Sequence, residues 1–151
     1  SHAVISEGFR NWRGMTESKT RRIKKSFYVD LNSVTYLDDG HYQTLEDSER
    51  FAPFFSVIGE KDVTHTNLTL FRMYLEYYLN NRMDIASDRT LMARHLSPTV
   101  YGIPIEIYAF CRVQEWVPYE GIVSEITEHI VVSMRFFGLK PVQLSTAISN
   151  L

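Results

Sequence analysis

"TLMARHLSPTVYGIPIEIYAFCRV", residues 90–113, decides the fold class because two strand patterns stand on either side of a turn. From Leu91 to His95, residues at odd positions alternate with Met92 and Arg94, a period of two that is typical of a strand. Pro98 and Gly102 mark the turn. In the second strand one face carries Ile103, Ile105, Ile107 and Ala109, and the other carries Glu106, Tyr108 and Phe110. The stretch predicts a β-hairpin.

A helix is predicted on each side of this hairpin. Before it, "THTNLTLFRMYLEYYLNNR" repeats large apolar residues at three- and four-residue steps, and Thr66 or Asn67 can cap the helix. After it, "YEGIVSEITEHIVVSMRFFG" has the same period, and Gly138 is placed to end the helix. The inward positions predicted for this second helix are Ile122, Ile126, His129 or Ile130, and Ser133 or Met134.

The outermost segments predict two further strands. "SFYVDLNSVTYL" (residues 26–37) alternates, with Phe27, Val29 and Leu31 on one face, and "LKPVQL" (residues 139–144) is short and apolar. Residues 37–62 are predicted to form a loop with short helical segments. The order strand, helix, strand, strand, helix, strand is that of an α+β fold, a ferredoxin-like split βαβ sandwich with its helices on one face.

Composition limits the function classes. The chain has 151 residues and a formal net charge of −2, which argues against a surface built throughout for phosphate backbones. Its single cysteine, Cys111, excludes a disulfide or a cysteine metal site within one chain. No run approaches the ~20 apolar residues of a membrane-spanning helix. The opening "SHA" is typical of an expression-tag remnant, so the natural protein is expected to continue before Val4.

Catalytic signatures are scarce. Glycine-rich nucleotide loops, a Walker motif and a GxSxG elbow do not occur in the sequence. Asp38 and Asp39 are better explained by a solvated turn than by an acid/base pair. Glu125, Glu128 and His129 make a constellation without the HExxH order of a zinc protease, and His129 is more simply a core or rim histidine. We therefore predict no enzyme activity, no catalytic residue, no metal and no cofactor.

The strongest local charge signal is the cationic run Arg21, Arg22, Lys24 and Lys25. It is open to a nucleic-acid interpretation, in which Tyr28, Tyr108 and Phe110 would stack bases on the sheet, but the aromatic signature of RNA-recognition modules is missing. Nucleic acid is therefore an unlikely partner. A solvated strand entry that protects a sheet edge explains the run at least as well.

Several stretches in order resemble the soluble C-terminal region of small-conductance mechanosensitive channels, in particular the miniconductance subgroup. They are "NWRGMTES", "RRIKKSFYVDLNSV", "TNLTLFRMYLEYYLNNR", "TLMARHLSPTVYGIPIEIYAF", "WVPYEGIVSEITEHI" and "FFGL", and they span Phe9 to Leu139. One departure is visible, because this chain has Lys19 and Thr20 where relatives carry a Gly-Gly pair.

The resemblance implies a bacterial inner-membrane channel that opens under membrane tension during hypo-osmotic shock and releases ions and small osmolytes. This chain would be its non-catalytic cytoplasmic vestibule, a homo-oligomer that is typically a heptamer in the family, joined to the membrane by transmembrane helices before Val4. Residues 1–22 would end an all-β middle domain, and residues 23–151 would form the mixed α/β domain. The alternative is a free-standing ferredoxin-like module that binds a ligand or nucleic acid.

Site residues follow from the same resemblance. Arg21, Arg22, Lys24 and Lys25 would line the vestibule or its side openings and bias the permeating solutes. Residues expected to pack between domains or subunits are Phe9, Trp12, Trp116 and Tyr119.

Overall fold

A computed structural model describes residues 19–143, and its sheet has three antiparallel strands in the order β1-β3-β2. The strands are β1 (Arg21–Val29), β2 (Met92–His95) and β3 (Ile103–Cys111). The pairing of β1 with β3 runs from Arg21 opposite Cys111 to Val29 opposite Ile103. β2 pairs with the middle of β3, where Met92 lies opposite Tyr108. β1 and β2 are therefore the two edge strands.

Four helices and one short 3-10 turn complete the described chain. The helices are α1 (Asp39–Asp47), α2 (Ala52–Ile58), α3 (Asn67–Asn80) and α4 (Trp116–Phe136), and the turn is Leu31–Ser33. The Thr66 hydroxyl accepts from the backbone N–H of Thr69 and caps α3, which confirms the predicted cap. Gly138, at φ +77°, ends α4 as predicted. Mixed helices and strands confirm the α+β class.

The core lies between α3, α4 and one face of the sheet. From β3 it takes Ile105, Ile107 and Ala109, each at most 1% exposed, so the predicted alternation of this strand is confirmed. Leu75 of α3 and Ile130 of α4 are fully buried in the same cluster. Burying apolar side chains of this size supplies roughly 1.5–3 kcal/mol each, which makes this layer the main source of stability.

Residues 37–62 pack on their own chain. Phe51 and Phe54 lie with ring centroids 5.1 Å and 5.5 Å from Tyr74 of α3, and Phe51 lies 5.3 Å from Phe137 after α4. These edge-to-face contacts join α2 to the core, and Tyr42 of α1 meets Phe55 of α2 at 5.1 Å. The predicted loop with short helical segments is thus confirmed, and its apolar cluster is part of the main core.

Asn67 is fully buried at the start of α3 and joins three segments. Its Oδ1 accepts from the backbone N–H of Thr35 at 2.9 Å. Its Nδ2 donates to the carbonyls of Ser33 at 2.9 Å and Phe137 at 3.0 Å. The side chain therefore holds the 3-10 turn and the end of α4 against the start of α3.

Two strand predictions were wrong in their extent. β1 begins at Arg21 and ends at Val29, so Leu31 lies in the 3-10 turn and is 47% exposed. The segment after Leu139 forms only an isolated bridge between Pro141 and Val29, flanked by a bond from the Val142 N–H to the Tyr28 carbonyl. Pro141 has no N–H to donate, which limits pairing through residue 143.

Candidate functional site

The cationic run lies inside β1, and the strand's alternation divides it between two faces. Arg22 and Lys24 share the face away from the helices with Tyr108 of β3, because Lys24 lies opposite Tyr108. Arg21 and Lys25 belong to the helix side. The four cations therefore do not make one patch, and the predicted boundary between residues 22 and 23 falls within β1.

The two arginines of the run are engaged by neighbouring groups. Arg21 donates from Nη1 to the carbonyl of Gln114 at 3.1 Å, and its guanidinium lies 4.4 Å from the Tyr119 ring centroid. The Arg22 guanidinium lies 5.8 Å from the Tyr108 ring centroid. Lys24 and Lys25 are exposed. Arg22 is exposed as well, so the lysines differ from it only in having no hydrogen-bond, ion-pair or ring partner among the described residues.

Tyr119 joins the first turns of α4 to β1. It is 8% exposed, and its hydroxyl donates to the carbonyl of Arg22 at 2.6 Å. Burial raises the pKa of Tyr119, so the hydroxyl stays protonated as a donor. Trp116, by contrast, is 66% exposed, and its indole N–H donates to Glu120 at 3.1 Å. Phe9 and Trp12 lie outside the described residues.

The sheet face away from the helices carries the aromatic side chains that a base-stacking site would need. Tyr108 and Phe110 meet edge to face at 5.6 Å, and both are half-buried. The Arg89 guanidinium covers Phe110 at 4.1 Å, and Arg22 lies over Tyr108. Each ring therefore has a cationic partner within the chain, which a base would have to share or displace on that side of the ring.

An ion pair between a buried carboxylate and a half-exposed guanidinium lies on the same face of the sheet. Glu106 is 4% exposed and accepts at Oε1 from Arg94 Nε at 3.0 Å and Nη2 at 2.9 Å. Ser26 donates to its other oxygen at 3.4 Å. Because Arg94 is on β2, Glu106 on β3 and Ser26 on β1, the carboxylate links all three strands. Its oxygens are occupied, which favours a structural role over acid/base chemistry.

His129 lies between α3 and α4. Its Nε2 shares hydrogen bonds with the Tyr74 hydroxyl at 2.6 Å and the Ser133 hydroxyl at 3.2 Å, and its ring stacks on Tyr78 at 4.0 Å. Burial, and then the charges of Arg50 and Arg82, lower the pKa of His129, while burial raises the pKa of Tyr74 to about 12. His129 is therefore a satisfied rim histidine, and neither Glu125 nor Glu128 hydrogen-bonds to it among the described contacts.

Metal-ligating and thiol groups are the next feature of the described residues. Within residues 19–143, no group of three His, Cys, Asp or Glu side chains is placed to hold a metal ion. Cys111 is buried, and burial raises the pKa of its thiol, which disfavours the nucleophilic thiolate. An open groove of about 640 Å³ lies beside α3 and is lined partly by Phe54, Met73 and Leu91.

Two groups of exposed apolar side chains lie at opposite ends of β3, and other exposed apolar side chains, among them Tyr36, Val57 and Met83, belong to neither group. The hairpin-tip patch consists of Val100, 93% exposed, Tyr101, and Tyr28, whose ring meets Tyr101 at 6.2 Å. The helix-start patch consists of Trp116 and Val117, and Val117 is 78% exposed. The strand between them, β3, has nine residues and spans roughly 25 Å at about 3.3 Å per residue. Among these side chains, the sequence analysis named Trp116 as a packing contact and Tyr28 as a candidate for base stacking.

A scan against protein-family models found none that matches this chain. Among the helices of residues 19–143, none combines the length and the apolar character needed to cross a bilayer.

Proposed function

We propose that this chain is the cytoplasmic vestibule part of a mechanosensitive channel of the small-conductance type, closest to the miniconductance subgroup. The full-length channel would open under membrane tension, and ions and small osmolytes would pass through a cage formed by identical copies. Support comes from the ordered sequence resemblance over Phe9 to Leu139 and from the two apolar patches at opposite ends of β3. The chain itself would carry no catalytic activity.

The two patches are the observation that carries this proposal. A closed ring is built from heterologous contacts, in which one surface of each copy meets a different surface of the next. Such a ring requires two unlike contact surfaces well apart on one copy, and the hairpin-tip and helix-start patches meet that requirement. Each offers large side chains that cost free energy to leave in water, since exposed apolar area favours association.

We also propose the finer fold assignment, a ferredoxin-like sandwich. The strand order β1-β3-β2 and the position of Pro141 beside the outer edge of β1 match three strands and the beginning of a fourth in that fold. The helices α3 and α4 then correspond to its two crossover helices. Residues 1–18 of the predicted all-β domain lie outside the described part, and its last two residues lie in β1.

The vestibule proposal is tested first on the intact natural gene product. It should be retained in the membrane fraction, and membrane patches containing it should show a conductance that appears under suction. Retention together with tension-dependent current supports the proposal. A product that stays in the supernatant and gives no such current overturns it, and binding to single-stranded nucleic acid across a salt series would then be measured for the alternative module.

Ring assembly is tested by charging one patch at a time in the full-length protein. Val100→Glu and Trp116→Glu should each reduce the assembled species in a cross-linking ladder, because a carboxylate would be buried at every contact. Val63→Glu is the matched control, since Val63 is 76% exposed but belongs to neither patch. Equal ladders for all three variants and the wild type would exclude these patches as ring contacts.

The cationic run is proposed to act mainly through its two exposed lysines. In a water-filled cage, Lys24 and Lys25 would raise the local anion concentration, while Arg21 is held by Gln114 and Tyr119. Lys24→Gln with Lys25→Gln should shift the reversal potential toward cation preference in an ion gradient. As a control, a variant that neutralises the exposed Arg135 and Lys140 instead should leave the reversal potential nearly unchanged. No shift in the lysine variant would exclude this role.

A further inference from the structure

β2 presents an edge of the sheet whose backbone groups alternate in direction. Met92 and Arg94 pair toward β3, so the N–H and C=O groups of Ala93 and His95 point away from the sheet. An edge of this kind is a ready surface for pairing with another strand. Ala93 is nevertheless only 1% exposed, so other parts of the chain cover the edge at this residue.

Two side chains of α3 cover Ala93. The N–H of Ala93 donates to Glu76 Oε2 at 2.9 Å. Its C=O accepts from Arg72 Nη1 at 3.4 Å. Glu76 and Arg72 stand four residues apart on α3 and therefore project from the same helix face. Together they offer one acceptor and one donor, the same pair of groups that a neighbouring strand would offer.

We propose that the outer edge of β2 is a latent strand-pairing surface, held closed by Glu76 and Arg72, and that its partner when opened is the same edge of a second copy. An antiparallel edge is complementary to itself. A twofold axis at Ala93 would place each N–H opposite the other copy's C=O, which is an isologous contact. The open groove of about 640 Å³ beside Glu76 and Leu91 leaves space for the incoming chain.

The test removes both covering side chains from the 151-residue chain. Arg72→Ala with Glu76→Ala should produce a concentration-dependent dimer in sedimentation velocity, in excess of any association of the wild type. At low concentration, where the variant is monomeric, amide exchange at Ala93 should be about tenfold faster, as expected from the loss of ~1.4 kcal/mol of hydrogen bonding. At high concentration, exchange at Ala93 should slow again.

Three controls make the result specific. Arg72→Lys with Glu76→Gln keeps a donor and an acceptor and should behave as the wild type. Glu128→Ala with Arg135→Ala removes the same charges from exposed positions of α4 and should not dimerise. Adding His95→Pro to the double alanine variant removes an outward N–H and should abolish the dimer.

Two results would overturn the proposal. One is a double alanine variant that has the wild-type circular dichroism spectrum and no added dimer at any concentration. The other is a dimer that persists with His95→Pro. If the double alanine variant does not fold, the single variant Glu76→Ala is used and amide exchange at Ala93 is measured. Exchange as slow as in the wild type overturns the proposal. Faster exchange that slows as the protein concentration rises supports it.

Discussion

The outer edges of β1 and β2 belong to one sheet, yet different groups protect them. On β2, side chains of α3 satisfy both backbone groups of Ala93. On β1, the protection lies at the two ends of the strand. The Tyr119 hydroxyl donates to the carbonyl of Arg22, and the Val142 N–H donates to the carbonyl of Tyr28. Between these two bonds, the outward edge of the strand carries Lys24 and Ser26. Lysine on an edge strand disfavours pairing by its charge and its need for water.

The difference shows how edge length determines the means of protection. β2 has four residues, so two side chains from one helix face cover the outward groups at its centre. β1 has nine residues, too many for one helix face to cover, and it relies on two fixed ends and a cationic middle. Perturbing the ends of β1 should therefore destabilise the fold more than perturbing its middle.

The largest effect is expected at the Val29 end of β1. Gly102 has φ +108°, and a Cβ there would lie 2.3 Å from the carbonyl oxygen of Val29. Gly102→Ala should lower the free energy of unfolding by roughly 3 kcal/mol or more in urea denaturation, because backbone must move. Gly121→Ala is the matched control in the helix α4, where a Cβ meets open space, and should raise it by about 0.5–1 kcal/mol. Equal effects at the two sites would show that this end is not tightly held.

A smaller effect is expected at the other end of β1. Tyr119→Phe removes the hydroxyl that binds the Arg22 carbonyl and should cost ~1 kcal/mol in the same denaturation measurement. Amide exchange should accelerate in β1 but not at Ala93 of β2. Tyr101→Phe, at a half-exposed hydroxyl, should change the stability by less than about 0.5 kcal/mol. Faster exchange at both edges would mean that the two protections are not independent.

The smallest effect is expected at His129 of α4, which contacts α3. α3 covers the edge of β2, and α4 carries the Tyr119 that binds β1. Burial, with Arg50 and Arg82, lowers the pKa of His129 below its ordinary value of 6.5. The unfolded chain therefore takes up the proton first as the pH falls through 6.5. The free energy of unfolding should decrease until the pH passes below the lowered pKa, and remain level with respect to this group thereafter.

The measurement for His129 is urea denaturation at several pH values between 7.5 and 5. His129→Gln keeps an acceptor for the Tyr74 hydroxyl but does not titrate, so its stability should depend less on pH than that of the wild type. Parallel curves for the two proteins would assign the pH dependence to other groups.

Local signals made the helices and the hairpin predictable from the sequence. Thr66 caps α3 through its own hydroxyl, and Gly138 ends α4 through a backbone conformation that glycine adopts freely. The start of β1 was not predictable in this way, because Lys24 and Lys25 look like a solvated segment although they lie within the strand. The charged residues of β1 lie on both faces of the strand and do not show the apolar/polar alternation. Ile23 is the first buried residue of the strand.

The contacts of the candidate surfaces could not be predicted from local patterns. Glu76 and Arg72 look like ordinary charges on an amphipathic helix, and their role at Ala93 depends on how α3 lies against β2. The resemblance predicts the same packing role for Trp116 and Tyr119, and only the structure distinguishes the exposed position of Trp116 from the buried one of Tyr119. Spatial neighbours that are 17 or more residues apart leave no periodic signal.

Asn67 sets a chemical limit on which sequences can adopt this fold. Aspartate has nearly the same shape, but it would turn a carboxylate oxygen toward the carbonyls of Ser33 and Phe137, where the amide now donates. Serine lacks a second donor, and glutamine is longer by one methylene. In a library that varies every position, residue 67 should therefore tolerate fewer replacements than its fully buried apolar neighbour Phe71, and chemical conversion of this one amide to an acid would act as a slow, irreversible lesion in the folded chain.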